Sequence, residues 1–425
     1  MLRQFFPFFI GCLHVVLVAS RHKIHIGCLV PSYNRDQYGY QTAIELAAEM
    51  INNRSDILPD HEIVMLCGDT YGDPTYTIRR IINFVQRPLN ESIRLLIGPA
   101  WSKNTIPAYQ TCSSYNIVQL SYAASSVEFQ DDFEYFILFT NVPSTSAFNK
   151  ARLSFIQHFG WKRVAILREY DDKLHTEAVN DLRNQIIKDN LNITLITIEG
   201  FTLFTKGHPR VQLENLQKLD ARIIIGEFST LGAVSVFCEA FKMGMLGPKY
   251  VWFLPATASG AWIFSPNTYS TYYKVFDCNI SDVIKAADGF IVSDKIPIRQ
   301  DDNKTLSGLT PESFMSQMRL RNRNPRRYTS YAFDSVWAAA MLFQQSLSYP
   351  KYRPENVKFT DIYARNHYAW FLSKTQFEGM TGPHHFDHRQ RLGTVRINQM
   401  RDINGTAKLI QVGTFSSINQ KDSKM

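Results

Sequence analysis

The sequence predicts an α/β protein with two lobes, each built on a doubly wound parallel sheet with helices on both faces. Three observations support this fold class. Apolar strands alternate with amphipathic helices along the chain. The alternation restarts after the segment TNVPSTS, residues 140–146. A chain of 425 residues is also too long for one compact core. We therefore expect two lobes with a crevice between them.

The first block of elements is predicted as strand 24–30, helix 40–52, strand 62–67, helix 76–86, strand 93–97, a short helix after Ser102 and strand 117–120. Its strands are mostly apolar runs, which are typical of strands buried on both faces of a parallel sheet. In helix 76–86, Ile78, Ile82 and Val85 recur at helical spacing and predict one apolar face.

The second block is predicted as helix 146–159, strand 163–167, a helix carrying Ala178, Leu182 and Ile186, strand 193–198, helix 211–219, strand 222–227, helix 232–244 and strand 250–254. A third set follows, with helices 311–320, 332–347 and 359–374 and short strands in GTVRINQM and KLIQVGTF. Helices grouped so late are expected to cross back to the first lobe.

This pattern predicts lobes that are discontinuous in sequence. The expected division is residues 1–20 as a signal peptide, 21–143 with 305–377 as lobe 1, 144–304 with 378–416 as lobe 2, and 417–425 as a polar tail.

The first residues, MLRQFFPFFIGCLHVVLVAS, are typical of a secretory signal peptide. They carry one charge at Arg3, an apolar run over 5–18 and a small residue at Ser20, after which cleavage is expected. The run is short for a membrane anchor. Farther on, YAFDSVWAAAMLFQQSL comes closest to a spanning helix, but Asp334 and a Gln pair indicate an amphipathic core helix. We expect an exported, extracellular chain, or a cell-surface one if it is part of a receptor.

Six N-x-[ST] sequons favour the same compartment, because this motif is the acceptor for N-glycosylation of exported proteins. They begin at Asn53, Asn90, Asn192, Asn279, Asn303 and Asn404.

Five cysteines remain after the signal peptide, and an odd number leaves a free thiol or an intermolecular bridge in an oxidising compartment. They are Cys28, Cys67, Cys112, Cys238 and Cys278. Because Cys28 and Cys67 lie in the first two predicted strands, we expect a buried pair of thiols there.

The net charge of +8 raises the question of nucleic-acid binding. The basic excess is concentrated in RLRNRNPRR, residues 319–327, and no aromatic residue interleaves with it. This favours a solvated surface loop and no nucleic-acid partner.

The motifs of common enzymes and cofactor sites are absent from the sequence. It contains no G-x-S-x-G, Walker loop, H-E-x-x-H or C-x-x-C. The segment PHHFDHRQ brings His384, His385, Asp387 and His388 together, but on an extended strand the first two point to opposite faces. We therefore expect a solvated hairpin, no metal site, no cofactor and no catalysis.

Serines follow two strands of the first block. Ser102 comes after strand 93–97, while QLSYAASS places Ser125 and Ser126 after the next strand. Hydroxyls and free backbone N–H groups at a helix N-terminus suit a carboxylate or phosphate, because the helix dipole favours negative charge there. The alternative is that these serines cap helices.

The segment DARIIIGEFSTLGAVSVFCEAFKMGMLGPKYVWFLPA, residues 220–256, resembles the extracellular ligand-binding domain of metabotropic GABA (type B) receptors. RSDILPDHEI, YNIVQLSYAASS, FGWKRVAIL, SYAFDSVWA and FEGMTGPHHFD agree in the same order, so the resemblance covers about residues 24–415. It implies the bilobed Venus flytrap of the type I periplasmic-binding-protein, or ANF-receptor-like, superfamily.

The resemblance implies that Ser102 and Ser125 hold a ligand carboxylate. Tyr328 lies near the position of the glutamate that takes the ligand's amino group in the GABA-binding subunit, and this difference resembles the partner subunit, which binds no GABA. The other family ligand contacts also correspond to different residue types here, near Asn34 and at Val142, Ser229 and Thr257. The candidate ligand-binding residues are Ser102, Ser125, Ser126, Ser229, Thr257 and Tyr328.

The resemblance also implies a disulfide between Cys238 and Cys278. The family's first-lobe bridge corresponds to Gly72 and Trp101, so that bridge is absent. Family members display tyrosines on a dimer helix and continue into seven membrane helices. Here Ile82 replaces one of those tyrosines, and the chain ends at Met425 after a polar segment.

The sequence and the resemblance favour two functions. The first is a receptor ligand-binding region that binds a small amino-acid-like ligand, GABA among the candidates, or pairs with a receptor subunit as a homo- or heterodimer in G-protein-coupled signalling. The alternative is a ligand-silent interaction module acting as a decoy or partner. A transport-type binding protein is the remaining binding class.

Overall fold

The structure, a computed structural model, describes residues 21–31, 36, 38–171, 173–255, 274–358, 361–404 and 406–417. The expected signal peptide, Asn34, Thr257 and residues 418–425 of the polar tail lie outside this range. Among the described residues, none of the helices combines the length and apolar character needed to cross a membrane.

The helices are α1 Tyr40–Asn52, α2 Pro74–Val85, α3 Ser102–Ser114, α4 Thr145–His158, α5 Lys173–Lys188, α6 Arg210–Lys218, α7 Thr230–Lys242, α8 Ile280–Ala287, α9 Pro311–Leu320, α10 Thr329–Ser346 and α11 Ile362–Ser373. Short 3-10 turns lie at Val127–Gln130, Gly247–Lys249 and Pro350–Tyr352.

The strands are β1 His22–Val30, β2 His61–Asp69, β3 Leu95–Ile97, β4 Val118–Ser121, β5 Leu138–Thr140, β6 Arg163–Glu169, β7 Thr194–Phe201, β8 Ile223–Glu227, β9 Val251–Pro255, β10 Ile291–Lys295, β11 Phe377–Gly379, β12 Gly382–Asp387, β13 Gln390–Leu392, β14 Thr394–Ile403 and β15 Thr406–Ser416.

These strands form two sheets, which confirms the predicted fold class. The first has the order β11-β12-β13-β5-β4-β3-β1-β2 and the second β15-β14-β10-β9-β8-β6-β7. Strands β1–β5 pair in parallel, as do β6–β10. Among the C-terminal strands, β13 joins β5 in parallel, and the remaining pairings are antiparallel. The described chain passes between the sheets at residues 141–144, 296–310 and 393.

Each sheet is covered by helices on both faces. One face of the first sheet packs against α1, α9, α10 and α11, and the other against α2 and α3. In the second sheet α6, α7 and α8 cover one face, and α4 and α5 the other. The late helices therefore do cross back to the first lobe. Trp337 of α10 is 1% exposed, which places this helix in the core as its apolar composition predicts.

Local capping explains where several helices begin. The Asp73 carboxylate accepts hydrogen bonds from the backbone N–H groups of Thr75 and Tyr76, with Pro74 at the first helical position of α2. Asp361 caps α11 in the same way. Such side chains satisfy N–H groups that lack a partner within the helix.

The predicted division of the C-terminal region is wrong between residues 378 and 392. These residues were assigned to lobe 2, but β11, β12 and β13 belong to the first sheet. The Thr140 N–H donates to the Arg389 carbonyl (3.0 Å), and buried Asp334 accepts from the N–H groups of Met380 (2.8 Å) and Thr381 (3.0 Å). At Gly379 an added Cβ would lie 2.6 Å from an Asp334 oxygen, so only glycine allows this approach.

The two C-terminal strands are longer than predicted. β14 and β15 form a hairpin whose register joins Thr394 to Ser416 and Ile403 to Thr406. Through β14 this hairpin extends the second sheet beside β10. The elements β5, α8, β10 and β11 were not predicted.

Two disulfides and one thiol account for the five cysteines. Cys238 of α7 pairs with Cys278, which confirms that prediction. Cys28 and Cys67 also form a disulfide, so the expectation of two buried thiols is wrong. The reason is register, since these residues are direct neighbours in the parallel pair β1–β2 with Cα atoms 4.3 Å apart. Cys112 is a buried thiol.

Candidate functional site

A small cavity lies between the two lobes, where the carboxyl ends of strands from both sheets meet. Its volume is about 50 Å³. This is the crevice that the alternating pattern predicts, because ligands of open α/β sheets bind beyond the carboxyl ends of the strands. The lining residues are Ser125, Thr145, Phe148, Arg152, Leu174, His175, Ala178, Glu227, Pro255, Lys295, Arg327 and Tyr328.

Two of the candidate residues, Ser125 and Tyr328, line this cavity together. Ser125 follows β4, and its carbonyl accepts hydrogen bonds from the N–H and the hydroxyl of Thr145, both at 2.9 Å. Thr145 begins α4 of the second lobe, so these bonds fix the Ser125 backbone at the point where the chain crosses between lobes.

Ser102 lies at the same edge of the first sheet without lining the cavity. It is the half-buried first residue of α3 and follows β3, the parallel neighbour of β4.

The hydroxyls of Ser126 and Ser229 are both hydrogen-bonded within the protein, to a side chain and to a backbone N–H respectively. The Ser126 hydroxyl is buried and donates to the Glu177 carboxylate at 2.7 Å. The Ser229 hydroxyl accepts from the Gly232 N–H at 3.1 Å and caps α7. For Ser229 the geometry favours helix capping over ligand contact. Thr257 lies outside the described residues.

An ion pair is buried on the second-lobe side of the cavity. Arg152 of α4 contacts Glu227 at the end of β8, and these side chains are 2% and 3% exposed. His175 lies 3.7 Å from the other Glu227 oxygen. Burial raises the pKa of Glu227, but Arg152 and His175 outweigh it and hold the pKa below its usual value. The carboxylate therefore stays ionised and engaged.

A second charged cluster crosses the cavity. Asp294, in β10, lies 2.6 Å from Arg327 of the first lobe, 3.7 Å from Lys295 and 3.8 Å from Arg396. The Lys295 ammonium lies 4.0 Å from the centre of the Tyr328 ring. Burial lowers the pKa of Lys295, and the charge of Arg327 lowers it further. Burial raises the pKa of Tyr328, but Lys295 and Arg327 outweigh it, so the net shift is downward.

A third set of contacts joins the lobes beside the cavity. Lys173 of α5 lies 3.0 Å from both Glu128 and Glu177, and Glu177 accepts the hydrogen bond from Ser126. Together with the Asp294–Arg327 pair, these bonds hold the two lobes against each other. The small volume of the cavity follows from this closed arrangement.

The interpretation of residues 319–327 as a solvated loop is wrong for part of the segment. Arg319 is 53% exposed, whereas Arg327 is 30% exposed and pairs with Asp294 across the cleft. Sequence alone could not find this partner, because it comes from the other lobe. Glu227 could have been recognised as a candidate site residue from the sequence, because it is a carboxylate at the end of the apolar strand IIIGE.

The histidine segment forms the β12–β13 hairpin. His384 is buried and stacks on Phe377 with ring centroids 4.4 Å apart, while His385 bonds to Gln376. Within the described ranges, no group of three or more His, Cys, Asp or Glu side chains could hold a metal ion.

All six sequon asparagines are exposed. Exposure is required of a glycan acceptor, so each of these positions remains a predicted glycosylation site.

The fold and the cleft define a bilobed ligand-binding region, and comparison with known proteins agrees. Residues 40–403 match the family described as receptor family ligand binding region. The chain belongs to this family.

Its relatives include subunits of one receptor type. The chain is 25% identical over 417 residues to gamma-aminobutyric acid type B receptor subunit 1 of Mus musculus, covering 95% of this chain and 41% of that protein. It is 27% identical over 387 residues to subunit 2 of Rattus norvegicus, covering 89% and 39%. The chain thus spans about two fifths of the length of these relatives.

Solved structures show the same fold at lower identity. Two ABC transporter substrate-binding proteins of Desulfitobacterium hafniense, one in complex with Leu, are both 19% identical to this chain. Their TM-scores are 0.64 and 0.67, and the matches cover 91% and 92% of this chain and all of each solved chain. These matches establish the two-lobed architecture.

Proposed function

We propose that this chain is the ligand-binding region of a receptor related to the type B GABA receptors and binds a small carboxylate-containing ligand between its lobes. The observation that carries the proposal is the interlobe cavity, which Ser125, Tyr328 and buried charged side chains from both lobes line together. Ligand pockets are concave sites with a few convergent polar groups, often at domain interfaces. Binding, rather than catalysis, is the role that such a cleft supports.

Ligand entry requires the lobes to open. A cavity of about 50 Å³ holds only a few water molecules, while pockets for small molecules typically measure about 300–1,000 Å³. The Ser126–Glu177 and Asp294–Arg327 contacts would break in the open form. In the closed form these side chains bind each other, so they compete with the ligand for the same groups. Such a hinge can couple binding to signalling.

An extracellular location fits this function. Two disulfides in a chain of this length are typical of oxidising compartments. The exposed sequons and the expected signal peptide support the same proposal.

The proposal is tested by thermal unfolding of the purified chain in the presence of GABA, other amino acids and small organic acids. A ligand that binds only the folded state raises the melting temperature. Ser125→Ala should weaken the binding of any carboxylate found about tenfold, because a hydrogen bond to a charged group is lost. Ser102→Ala should weaken it to a smaller extent. Ser229→Ala is the matched control, expected to lower stability by about 1 kcal/mol through the lost helix cap without changing affinity.

A ligand-silent interaction module is the second candidate, favoured by the side chains that already fill the closed cleft. In that case no compound of the panel would shift the melting temperature. Mixing with the extracellular region of a type B GABA receptor subunit would instead produce a heavier species in light scattering.

A further inference from the structure

The cavity between the lobes is electropositive. Its described lining contains three cationic side chains, Arg152, Lys295 and Arg327, and one carboxylate, Glu227. Just behind this lining lie Asp294 and one more cation, Arg396. The described lining of the cavity therefore carries more positive than negative charge.

Glu227 in the lining and Asp294 behind it are already engaged. Glu227 contacts Arg152 and lies 3.7 Å from His175. Asp294 is shared among three cations, of which Arg327 is nearest at 2.6 Å. A ligand ammonium entering the described part of the cavity would find neither carboxylate available without displacing a protein cation.

Lys295 is the most deeply buried of the three cations around Asp294, and its carboxylate partner is not in close contact. Its side chain is 3% exposed, its ammonium lies 3.7 Å from Asp294, and the charge of Arg327 opposes it. Tyr328 supplies a side-chain hydrogen bond and, with its ring centre 4.0 Å away, a cation–π contact, neither of which equals a full counter-charge. Because a buried ammonium is costly unless it is paired, a second anion near Lys295 would stabilise the closed form.

We propose that the cleft selects a small dianionic ligand, such as a dicarboxylate, over an amino acid. One carboxylate would bind at the Ser125 edge, and the other would lie toward Lys295 and Arg327. This inference rests on the proposed function, since it names the class of ligand that the same cleft would take.

Three compounds test whether affinity depends on the charge at the far end of the ligand rather than on the length of its chain. Glutarate has a second carboxylate where GABA has its amino group, and butyrate has neither. Calorimetric titration of the purified chain should give an affinity for glutarate at least tenfold above that for GABA, with butyrate between them. A charge-assisted hydrogen bond accounts for about ten- to hundredfold in affinity.

Variants at Lys295 and Tyr328 test which side chains set the preference. Lys295→Met should reduce the affinity for glutarate at least tenfold and change that for butyrate less than threefold, whereas Lys295→Arg should keep the preference. Tyr328→Glu should shift the preference toward GABA, and Tyr328→Gln, without the charge, should not. Circular dichroism and the melting temperature of each variant show whether it is folded.

The possible results separate this inference from the proposed function. GABA binding as tightly as glutarate, or a preference unchanged in folded Lys295→Met, overturns the dianion inference and leaves the ligand-binding role in place. The absence of binding by glutarate, butyrate, GABA and the wider acid panel overturns both.

Discussion

The buried Arg152–Glu227 pair offers a quantitative test of how the second lobe is stabilised. We consider the substitution Arg152→Met, which keeps much of the side-chain length and removes the charge. In the native chain the guanidinium contacts Glu227, the Ser293 hydroxyl (3.1 Å) and the Asn149 amide oxygen (3.1 Å). Its removal leaves Glu227, at 3% exposure, with His175 as its remaining ionisable neighbour.

The expected loss of stability follows from this burial. Removing one partner of a buried ion pair costs about 3–5 kcal/mol, because the remaining charge is uncompensated in a poorly solvated site. The Ser293 hydroxyl and the Asn149 amide oxygen also lose a hydrogen-bond partner. We therefore expect about 3–5 kcal/mol in total, equivalent to a fall in melting temperature of roughly 6–20 °C for a lobe of this size.

Denaturation with guanidinium chloride, followed by circular dichroism, measures this loss of stability.

The pH dependence of the stability has a defined sign. Because the pKa of Glu227 is lowered in the folded chain, its contribution to native stability is present above the pKa of an unfolded glutamate, about 4.3, and is lost as the pH falls through the folded value. In Arg152→Met the Glu227 carboxylate is buried without its guanidinium partner, and protonation removes that cost. The difference in unfolding free energy between the variant and the native chain should therefore narrow as the pH falls toward about 4.

The double variant Arg152→Met with Glu227→Leu is the decisive control. Replacing a whole buried pair by apolar side chains is often neutral or stabilising, so most of the lost stability should return. A single variant that loses less than about 1 kcal/mol, or a double variant no more stable than the single one, would refute this account of the pair.

Three further predictions concern the cysteines and the cleft. Replacing both Cys238 and Cys278 by serine should lower stability by about 4 kcal/mol, since the bridge closes a loop with a sequence separation of 40. Alkylation of the unfolded, unreduced chain expressed from Arg21 onward should label Cys112 alone, as peptide mass spectrometry would show, and labelling of Cys28 or Cys67 would contradict their pairing. Glutarate affinity should fall as the pH rises, and should do so at a lower pH than an ordinary lysine would require, because burial and Arg327 lower the pKa of Lys295. Deprotonation of Tyr328 acts in the same direction, whereas Asp294 opposes the loss of the lysine proton. Titrations between pH 6.5 and 10 that show constant affinity would contradict this.

Local sequence patterns were enough to predict most of the helices and strands. The apolar runs of β1, β3 and β8 and the helical spacing in α2 predicted elements that the structure places within a few residues. These patterns succeed because a strand buried on both faces must be continuously apolar, and a helix packed on one face must repeat every three to four residues. The parallel sheets and the two lobes followed from the alternation of these elements.

Short or edge elements escaped prediction. β5 has three residues, and β11–β13 pair across a hairpin whose polar composition suggests a solvated loop. Their place in the first sheet depends on Asp334 and on the pairing of Gln390 with Thr140, contacts between residues far apart in sequence. Pairing between distant segments leaves no local periodic signal.

The sequence by itself determined the class of this protein, the order of most of its elements and two serines at adjacent strand ends, because hydrophobic periodicity and strand termination are local properties. Only the tertiary structure decided that Cys28 bonds Cys67, that Ser229 caps a helix and that Lys295, Arg327 and Asp294 meet across the cleft. The physical reason is that strand register and lobe closure bring together side chains up to hundreds of residues apart, and burial then gives their charges an influence that they would lack in water.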